Sequence, residues 1–138
     1  MTVEIVEAPG EAERMAIMAA LVAHNDRAVG PTKRQQVAIV TRGDDGAING
    51  GLWGMIAYDW LFVQYISVPT ERQGQGLGRE LMGQAETIAR DAGCIGIWLD
   101  TYSFQARGFY EKLGFVTFGE IPDYPVGETR FFMTKRID

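Results

Sequence analysis

Trp60-Leu-Phe-Val-Gln-Tyr-Ile-Ser-Val68, then Pro69-Thr-Glu-Arg-Gln73-Gly-Gln-Gly-Leu-Gly78, then Arg79-Glu-Leu-Met82, is the stretch on which the reading of this chain turns. The first piece is a β-branched and aromatic run closed by a proline, which predicts a largely buried strand. The middle piece carries glycines at 74, 76 and 78. The last opens a helix with Leu77, Leu81, Ala85 and Ile88 along one stripe. A strand leading through a glycine loop into a helix is a device for holding anions. Glycine lets backbone N–H groups converge and a ligand come close, and the helix start adds unpaired donors and a positive dipole end. A ligand carrying phosphate is expected there.

Three phosphate-binding patterns compete for this loop. A P-loop needs Lys-Ser or Lys-Thr after its last glycine, and Arg79-Glu80 stands there instead. A dinucleotide fingerprint is nearer, because Asp100 follows Gly78 by 22 residues, about where a ribose-binding acid belongs. However, Arg79 occupies the third glycine position, and the five residues Pro69 to Gln73 are too many for a tight first turn. The chain also offers no further βα units to complete a nucleotide-binding half.

The third pattern fits. Gln73-Gly74-Gln75-Gly76-Leu77-Gly78, preceded by Ile66-Ser67-Val68, resembles the Q/R-x-x-G-x-G/A signature of the GCN5-related N-acetyltransferase (GNAT) superfamily. Downstream, Ser103-Phe-Gln-Ala106-Arg-Gly-Phe109-Tyr110-Glu-Lys-Leu113-Gly-Phe115 is similar to that family's N-x-x-A-x-x-[LF]-Y-x-x-x-G-F segment, with Ser103 in place of the usual Asn. The two motifs stand in the family's order, Tyr110 lying 32 residues beyond Gly78. The resemblance implies an α/β fold whose mixed sheet splays open near its middle to admit coenzyme A. It also implies a donor site built from Ile66, Ser67, Val68, Gln73 to Gly78, Arg79, Ser103, Ala106 and Phe109, with Gln73 to Gly78 around the pyrophosphate and the backbone of Ile66 and Val68 along the pantetheine arm. Tyr110 is implied as the general acid beside the sulfur.

Length and composition set the frame. With 138 residues, 46% hydrophobic and 22% charged, the chain has the make-up of one globular domain spanning 1–138. A net charge of −5 argues against non-specific nucleic-acid binding and anionic membrane surfaces. No apolar run reaches membrane-spanning length and no export signal is read at the start, so the cytoplasm is the expected compartment. One cysteine allows no internal disulfide, and no His/Cys cluster points to a metal.

Along the chain, the alternation of Thr2 to Val6 predicts a short strand, and residues 11–24 a helix with Glu11 and Glu13 in its first turn. Asn25 to Arg34 reads as a loop. Val37 to Thr41 and residues 47–57 form a hairpin about Gly43-Asp-Asp-Gly46, and Gly50-Gly51 marks a bulge or a close backbone approach. Gly93 closes the helix after the glycine loop, Cys94 to Leu99 is a buried strand, and Ser103 is placed to cap the next helix. Phe115 to Phe118 and Thr129 to Lys135 read as a closing strand pair joined by the loop Ile121 to Pro125.

Acetyl transfer to an amine requires an unprotonated nucleophile and a proton for the departing thiolate. An amine of pKa about 10.4 is neutral in only about one molecule per thousand near pH 7, so a carboxylate or an ordered water must take a proton. The central strand offers Phe62, Gln64 and Ser67 but no carboxylate, which leaves Asp100 as the nearest candidate base and a turn residue as its bland alternative. Periodicity alone makes Tyr110 a core aromatic, and only the motif makes it catalytic. Arg79 is either a phosphate contact or a solvated cation. Cys94 and the lone His24, far apart in sequence, make an unconvincing nucleophile pair; Trp53, Tyr58, Trp60 and Tyr124 are packing residues or part of an acceptor pocket. The expected activity is therefore acetyl-CoA-dependent N-acetylation of a primary amine on a small molecule or peptide, by direct attack in a ternary complex. A non-catalytic acyl-CoA sensor of the same fold and a dinucleotide-binding domain are the alternatives, and the family's habit of pairing through C-terminal strands implies a homodimer.

Overall fold

A computed structural model describes all 138 residues, in two units, residues 1–32 and 33–138. The first unit contains one helix, α1 (Glu11–Val29). It begins where the Glu13 carboxylate accepts the Gly10 N–H at 3.4 Å, and it stops at Gly30, whose φ is +86°. The helix runs five residues beyond the expected 24, into the stretch that reads as loop in the sequence. Thr2 to Val6 form no strand, against expectation. Alternation is only half of what a strand needs, and without a ladder partner the backbone stays irregular.

In the second unit, six strands form one mixed sheet. They are β1 (Gln35–Arg42), β2 (Ile48–Ala57), β3 (Trp60–Ser67), β4 (Gly96–Tyr102), β5 (Val116–Pro122) and β6 (Thr129–Arg136), in the spatial order β1-β2-β3-β4-β6-β5. Only β3 and β4 run parallel, and the 15-residue helix α2 (Leu77–Asp91) connects them. The short α3 (Arg107–Lys112) joins β4 to β5. α2 buries Leu81, Met82, Ala85 and Ala89, with Leu77 and Ile88 partly covered, so its apolar stripe faces the sheet as the periodicity predicts. Burying Leu81 alone is worth about 2 kcal/mol. Leu61, Ile97, Leu99 and Met133 from three adjacent strands form the driest part of the core.

The expected hairpin forms, with a bulge at Asn49, where the β1–β2 register slips between Thr41/Gly50 and Arg42/Ile48. A side chain at Gly50 would lie 2.6 Å from the Ser67 carbonyl oxygen, the close approach that the glycine pair announces. Gly93, with φ +79°, follows the last turn of α2 as expected. Several boundaries differ. The buried strand runs from Gly96 to Tyr102 rather than from Cys94 to Leu99, β1 starts two residues earlier, at Gln35, and β5 runs from Val116 through Ile121 and Pro122, into the expected loop.

β3 has a second bulge, and it positions everything that follows. Trp53 pairs with Tyr65 and Gly54 with Val63, so Gln64 has no opposite residue on β2. A bulge bends its strand and increases local twist. At the same level the β3–β4 ladder stops: its last pair is Val63 with Leu99. β3 continues to Ser67 against β2 alone, and β4 continues to Tyr102 against β6 alone. The sheet thus opens into a wedge between Gln64–Ser67 and Asp100–Tyr102, the splay implied by the resemblance.

Candidate active site

The loop after β3 is braced from within. Thr70–Arg72 form a single 3₁₀ turn, Arg72 Nε donates to Gln75 Oε1 at 2.9 Å, and Gln75 Nε2 donates to the Glu71 carbonyl at 3.2 Å. Gly74 and Gly76 have φ of +76° and +81°, in the left-handed region that a side chain disfavours. A Cβ at either position would meet nothing within 4 Å, so the glycines serve the backbone path and leave open space before it. Gly76 is the N-cap of α2, and no side chain caps the helix. The first-turn N–H groups therefore remain as donors toward that space. Gly78 is different: a Cβ there would lie 3.1 Å from Phe109 Cζ and 3.7 Å from Val68 Cγ2. The end of β3, the start of α2 and α3 meet at this point. Leu77, Ile66, Val68 and Phe109 turn their side chains to the core, so a ligand would meet the strand and loop residues through their backbone.

Tyr110 on α3 is buried, packed edge-on against Phe109 (centroids 5.1 Å apart) and Phe115 (6.0 Å). Its ring fills the core as periodicity suggests. Its hydroxyl takes part in no hydrogen bond within the chain and is not sealed from solvent, so it is left for water or a ligand. Burial, and secondarily the negative charge of Asp100, push the phenol up to about 12, so it is fully protonated at neutral pH. Ala106 is the N-cap of α3 and carries no side-chain cap bond.

Ser103 does not cap that helix, in correction of the expectation. It sits three residues before the N-cap, where its hydroxyl bonds the Glu128 carboxylate and accepts the Thr129 N–H at 2.9 Å. The hydroxyl closes the β4 end onto the start of β6 instead. The turn between β4 and α3 is held by Gln105, which nothing in the sequence pattern singles out. Its Oε1 accepts from the buried Thr101 hydroxyl at 3.1 Å and from the Tyr102 N–H at 3.0 Å.

Asp100 has a partner that the sequence does not reveal. Arg130 Nε donates to Asp100 Oδ1 at 3.0 Å, and Arg130 Nη2 lies 2.9 Å from Oδ2. The same guanidinium donates to the Tyr124 hydroxyl at 2.9 Å and lies over the rings of Tyr102, Tyr124 and Phe132. Both carboxylate oxygens are thus engaged by a cation, and the hydrogen bond to Asp100 raises the guanidinium above its ordinary range. Strand pairing is the only signal for this contact: Arg130 stands opposite Tyr102 on the neighbouring strand. Tyr124 accordingly lies in this cluster, whereas Trp60 begins β3 and Trp53 is on β2, 39% exposed. Cys94 is buried, and burial raises its thiol, so it is inert. No group of His, Cys, Asp and Glu is placed to hold a metal, and no helix is long and apolar enough to cross a membrane.

Residues 7–115 match the family model described as acetyltransferase (GNAT) family. The chain is 37% identical to an acetyltransferase of Agrobacterium fabrum over 129 residues, covering 94% of this chain and 93% of the relative. It is 41% identical over 96 residues to the blasticidin-S acetyltransferase of Streptomyces morookaense, covering 69% of this chain and 71% of that one. A crystal structure of an acetyltransferase from Agrobacterium tumefaciens superposes with a TM-score of 0.93 at 33% identity, over 99% of this chain and 100% of that chain. The wedge, the glycine loop and the buried tyrosine are thus found in a protein that belongs to the GNAT family of acetyltransferases.

Proposed function

We propose that this acetyltransferase moves the acetyl group of acetyl-CoA to a primary amine of a small molecule, by direct attack in a ternary complex. One observation carries the reading. The hydroxyl of Tyr110 is protonated and without a partner at the end of a buried ring, on the helix whose Phe109 packs against the start of α2. The residues fit the donor. The loop Gln73 to Gly78 and the first turn of α2 supply N–H groups to a diphosphate, with open space in front of Gly74 and Gly76. The unpaired edge of β3 from Gln64 onward supplies backbone to an extended pantetheine arm. Acetyl-CoA, when bound, supplies an activated thioester. Tyr110 then presents its O–H to the sulfur as negative charge develops there. With the phenol pushed up to about 12 against a thiol near 8.5, the O–H acts as a hydrogen-bond donor to the developing thiolate, and the proton that the amine gives up through water balances the one the thiol finally carries.

The base is assigned to water. Asp100 is engaged by Arg130, so we read it as a positioning residue that holds β4 to β6 at the mouth of the wedge. Gln64, at the bulge, is the polar side chain of the central strand nearest the point of divergence. The net charge of −5 favours a cationic amine, and the blasticidin-S acetyltransferase among the relatives supports a small molecule over a peptide. The test is thiol release from acetyl-CoA across a panel of amines, polyamines, aminoglycosides and blasticidin S among them. Turnover with a small amine supports the reading. Tight acetyl-CoA binding without turnover on any amine favours the sensor alternative, to which the engagement of Asp100 lends some weight.

A further inference from the structure

The six-stranded sheet has two faces, and the core lies on one of them. Val37, Leu52, Leu61, Ile97 and Met133 point into that core with the stripe of α2 and with Tyr110 of α3. The side chains between them point the other way. Paired positions set Met55, Phe62 and Trp98 in one row across β2, β3 and β4, and Trp53 beside Tyr65 in the next. Phe62 and Trp98 stack at 4.0 Å, but Val40, Trp53, Met55 and Tyr65 each remain more than a third exposed in the single chain. A sheet that is apolar on its second face is expected to bury that face too, and an exposed patch of this kind marks an interaction surface.

Residues 1–32 carry matching features. Met15, Met18 and Val22 follow helical spacing on α1, with Leu21 beside them, yet the helix buries none of its residues. Ahead of it, Thr2 to Val6 alternates as a strand does but has no ladder, and Val3 and Ile5 are almost fully exposed. β1 is an end strand of the sheet, so one of its edges is unpaired. The charges are complementary. Thr2 to Glu7 holds Glu4 and Glu7 and no basic residue, whereas Lys33 to Arg42 holds Lys33, Arg34 and Arg42 and no acidic one. The connection between α1 and β1 is only residues 30–34, and Pro31 stiffens it by fixing its own φ and restricting Gly30. A short, stiff hinge favours exchange of a segment between copies over its return onto its own chain.

We propose that two copies of this chain exchange residues 1–32. Thr2 to Val6 of each copy adds a strand to the free edge of β1 in the other, with its acidic residues against the basic ones there. The α1 of each copy covers the face of Val40, Trp53 and Met55 in the other.

Sedimentation equilibrium on the full chain tests this. The wild type should be a dimer at micromolar concentration. Leu21→Asp on α1 and Val40→Asp on the sheet face should each weaken the dimer roughly tenfold or more, because each buries a carboxylate without a partner. An equimolar mixture of the two variants should recover dimer, since the unaltered α1 of one copy then meets the unaltered face of the other. Proline at Glu4 or Ile5 tests the strand separately. Adjacent N–H groups of a strand point to opposite sides, so at least one of Glu4→Pro and Ile5→Pro should weaken the dimer by a similar factor. Both lie where the single chain has no ladder, so circular dichroism should show an intact fold, and they decide the matter if either Asp variant fails to fold. A monomeric wild type overturns the proposal. So does a dimer that neither proline variant weakens, which would close through another surface such as the free edge of β5, and so does a mixture of folded Asp variants that stays monomeric.

Discussion

β3 and β4 do different work over their two halves. From Trp60 to Val63 and Gly96 to Leu99 they pair as a parallel ladder, and Leu61, Val63, Ile97 and Leu99 are buried there. From Gln64 and Asp100 onward they separate, each held by its outer neighbour only. The closed half satisfies its backbone internally and needs nothing further. The open half leaves strand edge unpaired beside a glycine loop and a phenol without a partner, and in a folded protein such groups are complemented by water or ligand. One bulged residue, Gln64, marks the change. Stability and chemistry are thus assigned to successive stretches of the same strands, and substitutions in the two stretches should fail in different ways.

The largest difference is expected at Tyr110, whose ring belongs to the core and whose hydroxyl the proposed function assigns to the site. Tyr110→Phe keeps the ring and its contacts with Phe109 and Phe115. Single-turnover acetylation should slow by roughly 10²–10⁴-fold while the acetyl-CoA dissociation constant moves little. Wild-type chemistry in the variant would make Tyr110 a core aromatic only. The same substitution sharpens the comparison through pH. The phenol is raised from 10.0 to about 12 in the folded chain, so above pH 10 the unfolded chain loses its proton first. Stability is full below pH 10 and falls as pH rises toward 12, by a total of about 3 kcal/mol. Denaturant unfolding at a series of alkaline pH values should show this excess loss in wild type and not in Tyr110→Phe.

Gly76→Val tests the loop alone. A β-branched residue at a φ of +81° is strained, at a cost of about 1–3 kcal/mol, and its side chain enters the space before the helix start. Acetyl-CoA affinity should fall by roughly 10- to 100-fold in calorimetry, with the closed half still cooperatively folded. Unchanged affinity would remove the loop from the site. Asp100→Asn should have the smallest effect on the rate and a moderate one on stability, about 1–2 kcal/mol, because the Arg130 guanidinium loses a charged partner at a site that is 12% exposed on the carboxylate side. A loss of kcat beyond about 10²-fold at unchanged acetyl-CoA affinity would restore Asp100 as the base.

How much of this is legible in the sequence follows the same division. The shape of the loop is legible because it is a matter of backbone: glycines between a strand and a helix announce the left-handed turns found at Gly74 and Gly76. The α2 stripe is legible because burial writes a period into the sequence. What escapes depends on partners remote in sequence. Thr2 to Val6 alternates without acquiring a ladder, and Ser103 has a suitable local helix to cap but bonds Glu128 and Thr129 instead. Asp100 looks free because its partner, Arg130, lies 30 residues later. The bulge at Gln64 is the clearest case: it exists only in the register between β2 and β3, and no residue type announces it.

Amide hydrogen exchange with and without acetyl-CoA tests the division between the two halves most directly. Protection should rise at Gln64 to Val68 and at Gly74 to Gly78, where backbone is offered to the ligand, and stay unchanged at Trp60 to Val63, already paired with β4. The same experiment with NAD should show no such pattern. Protection absent from the open half of β3, or matched by NAD, would contradict the assignment of that half to the donor.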